Sequence, residues 1–247
     1  MYHELNEVEH RPYPLPKSPW LMTQVWDQLL FMHWPIPVEE LKQHIPPELE
    51  LDTFDGTGWI GIVPFAMNNI RMHGLPQIPY AQSFLELNVR TYVKYNGKAG
   101  VYFFTLDANH KLAVAGARKL FSLPYVSADM EMTEVNGRVD FKSERTHRGY
   151  PDASFHVAYR PTSPVFTATK GSIEDWLTAR YCLWTTKDKH VYRGDIHHAP
   201  WDLQKAEAEI KINKIAPFLK DAYFDNDPLL LYAPSNRAFV WKLDRIR

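Results

Sequence analysis

Ser83–Asp107, SFLELNVRTYVKYNGKAGVYFFTLD, holds two apolar-rich runs on either side of Asn96-Gly97. Asn-Gly accepts positive φ at both central positions of a tight turn, so the stretch predicts a two-residue type I′ hairpin. Side chains alternate along a strand. Leu85, Leu87, Val89, Thr91 and Val93 therefore share one face, and Phe84, Glu86, Asn88, Arg90 and Tyr92 share the other. With Tyr95 opposite Lys98, uninterrupted register sets Arg90 against Phe103, Asn88 against Thr105 and Glu86 against Asp107. One face then carries a carboxylate pair, an amide, a hydroxyl and a guanidinium. That face either meets water or lines a polar cavity. The second strand, Val101 to Leu106, is apolar on both faces and favours the cavity.

The totals narrow the classes. The chain has 247 residues and a formal charge of −1, so no basic surplus points to nucleic acid or an anionic membrane. No apolar run reaches the roughly 18 residues of a membrane span, and no signal-peptide core opens the sequence. The single cysteine, Cys182, excludes an internal disulfide and fits a reducing cytoplasm. Aromatic residues reach 14%, eight of them Trp, which suits thick sheet packing or an aromatic-lined pocket.

Outward from the hairpin, residues 1–19 are polar and then proline-rich, an extended arm before a single domain over 20–247. Trp20 to His33 reads as a long strand or a strand with a break, Val38 to His44 as a short helix behind Pro37, and Trp59 to Met67 as a buried strand. Gly74 to Pro79 is a loop. His110 to Phe121 has helical spacing with small residues that let it lie close to a sheet. A second Asn-Gly pair, Asn136-Gly137, joins Val126–Glu134 to Val139–Thr146, and Ser154 to Arg160 follows as a strand. Ser172 with Asp175 resembles a capping box. Ile173, Trp176, Leu177, Arg180, Tyr181 and Trp184 then form one helical stripe, which buries Arg180 and demands a carboxylate or a ligand anion for it. His190–His198 is a strand, and Pro228–Tyr232 and Phe239–Leu243 are two closing strands.

His197 and His198 point to opposite faces of their strand and do not suit one metal. No metal-ligand spacing, phosphate loop or nucleophile elbow is present. No metal and no cofactor are expected. The usable chemistry is Glu86 with Asp107. Close carboxylates raise one pKa and supply an acid near neutrality, and Arg90 or Arg180 can hold a substrate carboxylate.

Several strings are long and unusual: Leu29-Leu-Phe-Met-His-Trp-Pro35, Glu86-Leu-Asn-Val-Arg-Thr-Tyr-Val93, Arg180-Tyr-Cys182 and Ile196-His-His-Ala-Pro-Trp-Asp-Leu-Gln204. Through them the chain resembles the YqjF-like bacterial family, of unknown function, in the acetoacetate decarboxylase superfamily. The resemblance implies a mainly β, closed antiparallel barrel or double-sheet domain with a few peripheral helices and an internal cavity, often in homo-oligomers. The decarboxylases' pocket-glutamate strand matches the run holding Glu86, and their Asn-Gly hairpin matches Asn96-Gly97. Their Gly-Arg-Glu and Pro-Lys-Lys stretches match Ala117-Arg118-Lys119 and Pro124-Tyr125-Val126. The Schiff-base lysine thus falls on Tyr125 and the adjacent lysine on Val126. The usual substrate-holding arginine falls close to Pro35, without a match. Tyrosine forms no imine, so the expected function is binding of a small carboxylate or carbonyl compound, with lyase- or hydrolase-like acid/base chemistry. Glu86 and Tyr125 are the expected catalytic pair, and Arg90, Arg118, Arg180, His33, Asp107 and His198 the expected substrate-binding set. Lys111 or Lys119 can stand in for the missing lysine. The alternative is a non-catalytic protein that keeps the cavity.

Overall fold

The computed structural model describes residues 2–75, 83–110, 114, 115, 118 and 123–246. Its strands are β1 Met22–Ile36, β2 Glu50–Leu51, β3 Gly58–Met72, β4 Phe84–Tyr95, β5 Lys98–Ala108, β6 Tyr125–Val135, β7 Arg138–Arg145, β8 Ser154–Pro161, β9 Cys182–Lys187, β10 His190–His198, β11 Gln204–Asn213, β12 Leu229–Val240 and β13 Asp244–Arg245. Helices α1 Val38–Lys42 and α2 Ile173–Thr178 lie between them. Of the expected 110–121 helix, Val114, Ala115 and Arg118 are helical; Lys111, Lys119 and most of the rest lie outside the described residues. So does most of the expected 74–79 loop.

The β4–β5 hairpin forms as the turn chemistry dictates, with φ of 50° at Asn96 and 74° at Gly97. Tyr95 faces Lys98 and Arg90 faces Phe103. Beyond that point the register slips by one. Val89 faces Thr105, Leu87 faces Asp107 and Glu86 faces Ala108. The expected pairings of Glu86 with Asp107 and Asn88 with Thr105 therefore do not form. The extra residue is Phe104, and a bulge turns every later β5 side chain to the opposite face.

Strand pairing closes a nine-strand ring: β5-β6-β7-β8-β11-β12-β1-β3-β4 and back to β5. It is mostly antiparallel, but β5 and β6 run parallel. Strands β9 and β10 bridge from β5 to β12 and close a second, smaller ring. Five strands, β12, β1, β3, β4 and β5, are thus a wall shared by both rings. One face of that wall fills the nine-strand ring, where Met32, Ile62, Leu87 and Val89 meet Phe141, Val157 and Tyr159. The other face looks into the smaller ring.

Three expectations change. The stripe from Ile173 is not one helix: α2 stops at Thr178, and Cys182 begins β9. Arg180 and Tyr181 lie in the connection and Trp184 on the strand. Ser172 does cap α2, its hydroxyl accepting from Asp175 N at 3.3 Å, but the Asp175 carboxylate accepts from Gly171 N rather than from Ser172. The two closing strands are a single strand, β12, plus the two-residue β13. The N-terminal arm contains a short 3-10 turn, His3–Asn6, and lies on its own barrel. Arg11 donates to Ile196 O at 2.8 Å, His197 Nε2 donates to Glu4 O at 2.7 Å, and Trp241 Nε1 donates to Ser18 O at 2.8 Å.

Candidate functional site

The smaller ring encloses a cavity of about 400 Å³. Alternation alone does not explain its lining. On β1, Met22, Gln24 and Trp26 face it, and then Leu29 and Phe31 do. The switch of parity falls at Gln28, whose φ is 54°. On β3, Val63, Phe65 and Met67 face it, then Ile70 and Met72, with the switch at Asn69, φ 50°. Each irregularity keeps a twisting strand presenting its apolar side chains to one space.

Strand β4 supplies the polar row. Glu86, Asn88 and Arg90 face the cavity at alternate positions. Glu86 is 3% exposed, and its Oε2 accepts from the Tyr125 hydroxyl at 2.8 Å. Burial pushes its carboxyl up to about 7 against the restraining hydrogen bonds of Tyr125 and Asn88, with the Asp107 charge adding to the rise. Burial, then the Glu86 charge, holds the Tyr125 phenol well above its ordinary value, so it stays protonated. Asn88 is buried, and its Oδ1 has no partner.

Arg90 leans the other way. Its guanidinium lies 5.4 Å from the Phe31 ring centre and 5.8 Å from that of Tyr92. One nitrogen donates to Leu177 O at 3.4 Å, Nε has no partner, and no carboxylate among the described residues pairs with it. Gly61 makes room for this: a Cβ there would sit 3.1 Å from His33 Nε2 and 3.3 Å from Arg90 Cγ. A buried cation without a carboxylate partner in a cavity is a candidate anion site.

The other expected residues divide. Arg180 lines the cavity, but Asp52 neutralises it at 2.7 Å and Trp176 O accepts from its Nε. Of the two partners its buried position allowed, a carboxylate or a ligand anion, the structure supplies the carboxylate. His198 faces the cavity between Tyr181 and Trp201. Burial pushes it down to about 3, so it is neutral, and its Nδ1 donates to Ala199 O at 2.7 Å. His197 points away, against the arm. His33 lies behind Arg90, hydrogen-bonded to the Tyr92 hydroxyl at 2.6 Å and kept neutral mainly by burial. Asp107 faces into the nine-strand ring with Arg145 at 2.8 and 2.9 Å, because the bulge turned it there. Arg118 lies outside the cavity, donating to Tyr125 O and to the Tyr150 hydroxyl.

Sequence reasoning named Asn88 as part of the polar face but not as a site residue, although its place between Glu86 and Arg90 was enough to include it. Gln24, Trp26 and Trp201 carried no local signal. Among the described residues no lysine lines the cavity, no cluster of three or more metal-ligating side chains occurs, and no helix is long and apolar enough to cross a membrane.

The two-ring barrel has solved counterparts. It is similar to an acetoacetate decarboxylase-like enzyme from Sphingomonas wittichii RW1, with a TM-score of 0.64 and 12% identity over 93% of this chain and 94% of that one. Acetoacetate decarboxylase from Legionella pneumophila gives 0.62 and 12%, covering 100% and 96%. The enduracididine biosynthesis enzyme MppR, complexed with pyruvate, gives 0.59 and 10%, covering 96% and 93%. The architecture is therefore that of the acetoacetate decarboxylase-like proteins. Within it, the chain belongs to the DUF2071 family, described as an uncharacterized conserved protein, which matches residues 23–237. The uncharacterized protein YqjF of Bacillus subtilis (strain 168) is 48% identical over 238 residues, 96% of this chain and 98% of that one.

Proposed function

We propose that the cavity binds a small organic acid and that Glu86 moves a proton to or from it, without a Schiff base. One observation carries this reading: a buried carboxyl near half-protonation, held by Tyr125, shares a cavity with the unpaired guanidinium of Arg90. An acid that titrates near 7 both donates and accepts protons at neutral pH. Tyr125 holds Glu86 in one orientation and supplies a phenol O–H to an oxyanion. By the family resemblance Tyr125 falls where the decarboxylases have their Schiff-base lysine, and a tyrosine cannot form an imine. Pyruvate bound to a protein of the same fold supports an acid as the ligand class.

A screen of keto and hydroxy acids by thermal shift tests the reading. An acid stabilises wild type and the Arg118→Met variant, and loses its effect in Arg90→Met. Stabilisation that survives in Arg90→Met rejects the anion site. Turnover abolished in Glu86→Gln, with binding retained, supports the acid/base role. A ligand that binds wild type and Glu86→Gln alike and is never converted supports the second reading, a binding protein that kept the cavity; the missing lysine is what favours that reading. The proposal extends to a cytoplasmic bacterial homo-oligomer with residues 20–247 as one domain. A solution mass equal to one chain rejects the assembly.

A further inference from the structure

The wall of the smaller ring has one loosely joined seam. Strand β9 pairs with β10 along His190–Asp195, and β10 with β12 along Ile196–His198. The pairs β12–β1, β1–β3, β3–β4 and β4–β5 are longer still. Strand β9 meets β5 only where Leu183 faces Val101. Because β4 holds one edge of β5 from Lys98 to Ala108, β9 and β6 must share the other. Strand β6 takes that edge at Leu106–Ala108. Between the two, Tyr102 to Thr105 have no strand on that edge among the described residues. Side chains rather than backbone hydrogen bonds fill this window.

A second pocket, of about 320 Å³, lies at the window. Tyr102 and Phe103 line it from β5, Leu123 from the approach to β6, and Lys187 from β9. Phe103 and Leu123 also line the inner cavity, so these two half-buried side chains form a partition between the two spaces. The outer space is cationic. Arg118 and Lys187 both line it, both are exposed, and neither pairs with a carboxylate among the described residues. The remaining residues of the sequence include no Asp or Glu. Tyr125 touches both spaces: its carbonyl accepts from Arg118 at 2.7 Å, and its hydroxyl donates to Glu86 at 2.8 Å.

We propose that this window is the entrance to the cavity and that the outer pocket captures organic acids. A carboxylate is drawn to Arg118 and Lys187, and the molecule then passes between Phe103 and Leu123 into the space that Glu86 and Arg90 face. Passage moves two side chains among their rotamers and breaks no strand pairing. The cations act at the mouth rather than on the bound ligand, so they speed entry and exit alike and leave affinity nearly unchanged. That the captured molecule is an acid rests on the acid-binding reading above; the route rests on the strand pairing.

Stopped-flow fluorescence with two apolar probes tests the entrance: anionic 8-anilinonaphthalene-1-sulfonate and neutral N-phenyl-1-naphthylamine. The cavity signal is the part that Ile196→Phe, on the inner wall, removes. Replacing both cations, Arg118→Gln with Lys187→Gln, should slow association of the anionic probe about tenfold at low salt and slow its dissociation by a similar factor. Added salt should bring wild type down to the rate of the double variant. The neutral probe should enter both proteins equally fast, and Phe103→Ala should speed both probes. Lys187→Glu, at an exposed position away from the Tyr125 carbonyl, should slow the anionic probe by itself. An anionic probe that enters the double variant at the wild-type rate overturns the capture. A neutral probe slowed as much as the anionic one also overturns it, because the loss is then structural. Entry rates of both probes left unchanged by Phe103→Ala overturn the route. Cavity binding of the anionic probe that is as tight in Arg90→Met as in wild type rejects the acid-binding reading and leaves the route standing.

Discussion

The nine-strand ring is filled and the smaller ring is hollow, although five strands belong to both. Consecutive residues of β4 show the contrast. Leu87 and Val89 are packed among Met32, Ile62 and Phe141, while Glu86, Asn88 and Arg90 face open space. Charge follows the same division. Inside the filled ring Asp107 and Arg145, 0% and 2% exposed, close on each other; in the cavity Arg90 has no such partner. A shared wall thus separates a packed interior from an open cavity by side-chain parity alone. Substitutions one residue apart should have different consequences.

The largest expected difference is in packing. Phe141→Ala, deep in the filled ring, should cost about 3–5 kcal/mol. Phe103→Ala, half-buried on the cavity wall, should cost under about 2 kcal/mol, because its neighbours already border a void. Urea unfolding compares the two, and equal losses would break the distinction between the rings. Charge gives a contrast of similar size. Arg145→Met strands a buried Asp107 and should cost about 3–5 kcal/mol. Arg90→Met removes a cation that has no carboxylate partner and should change stability by about 1 kcal/mol or less. A large loss in the second variant would mean that Arg90 is structural.

Next comes pH. The folded pKa of Glu86 lies above its ordinary 4.5, at about 7, so the folded state binds that proton more tightly than the unfolded chain does. Its contribution is fully present below about 4.5 and is lost as pH rises through 7. Relative to Glu86→Gln, wild type should lose about 3 kcal/mol between pH 4 and pH 8, at 1.36 kcal/mol per unit. A pH-independent difference between the two melting curves would return Glu86 to an ordinary solvated carboxylate. The smallest expected effect is from filling the hollow. Ile196→Phe, on the cavity wall, should shift stability by only about 1 kcal/mol in either direction. It should nevertheless abolish ligand-induced stabilisation. Retained binding would move the ligand site elsewhere.

Much of the site was legible because it lies on one strand next to one turn. Asn96-Gly97 fixed the hairpin, and alternation from Tyr95 back to Phe84 brought Glu86, Asn88 and Arg90 to one face. The alignment of Tyr125 with a lysine position also led to a residue that bonds Glu86 directly. The Asp107 pairing failed because it depended on ten residues of unbroken register, and one inserted residue, Phe104, reversed it. Arg180 was correctly buried but for another reason: α2 ends at Thr178, and the arginine meets Asp52 from 128 residues away.

By itself, then, the sequence determined the turns, the alternation of most strands and the family. These depend on interactions within a few residues, or on strings long enough to be distinctive. Tertiary structure alone decided that β12 is one strand closing both rings, that the arm lies on β10, and that Gln28, Asn69 and Phe104 shift parity. It also decided that Arg180 is neutralised and Arg90 is not. Those outcomes depend on which distant strand supplies a hydrogen-bond partner or a carboxylate. Pairing between segments separated by a hundred residues or more leaves no periodic mark in either one.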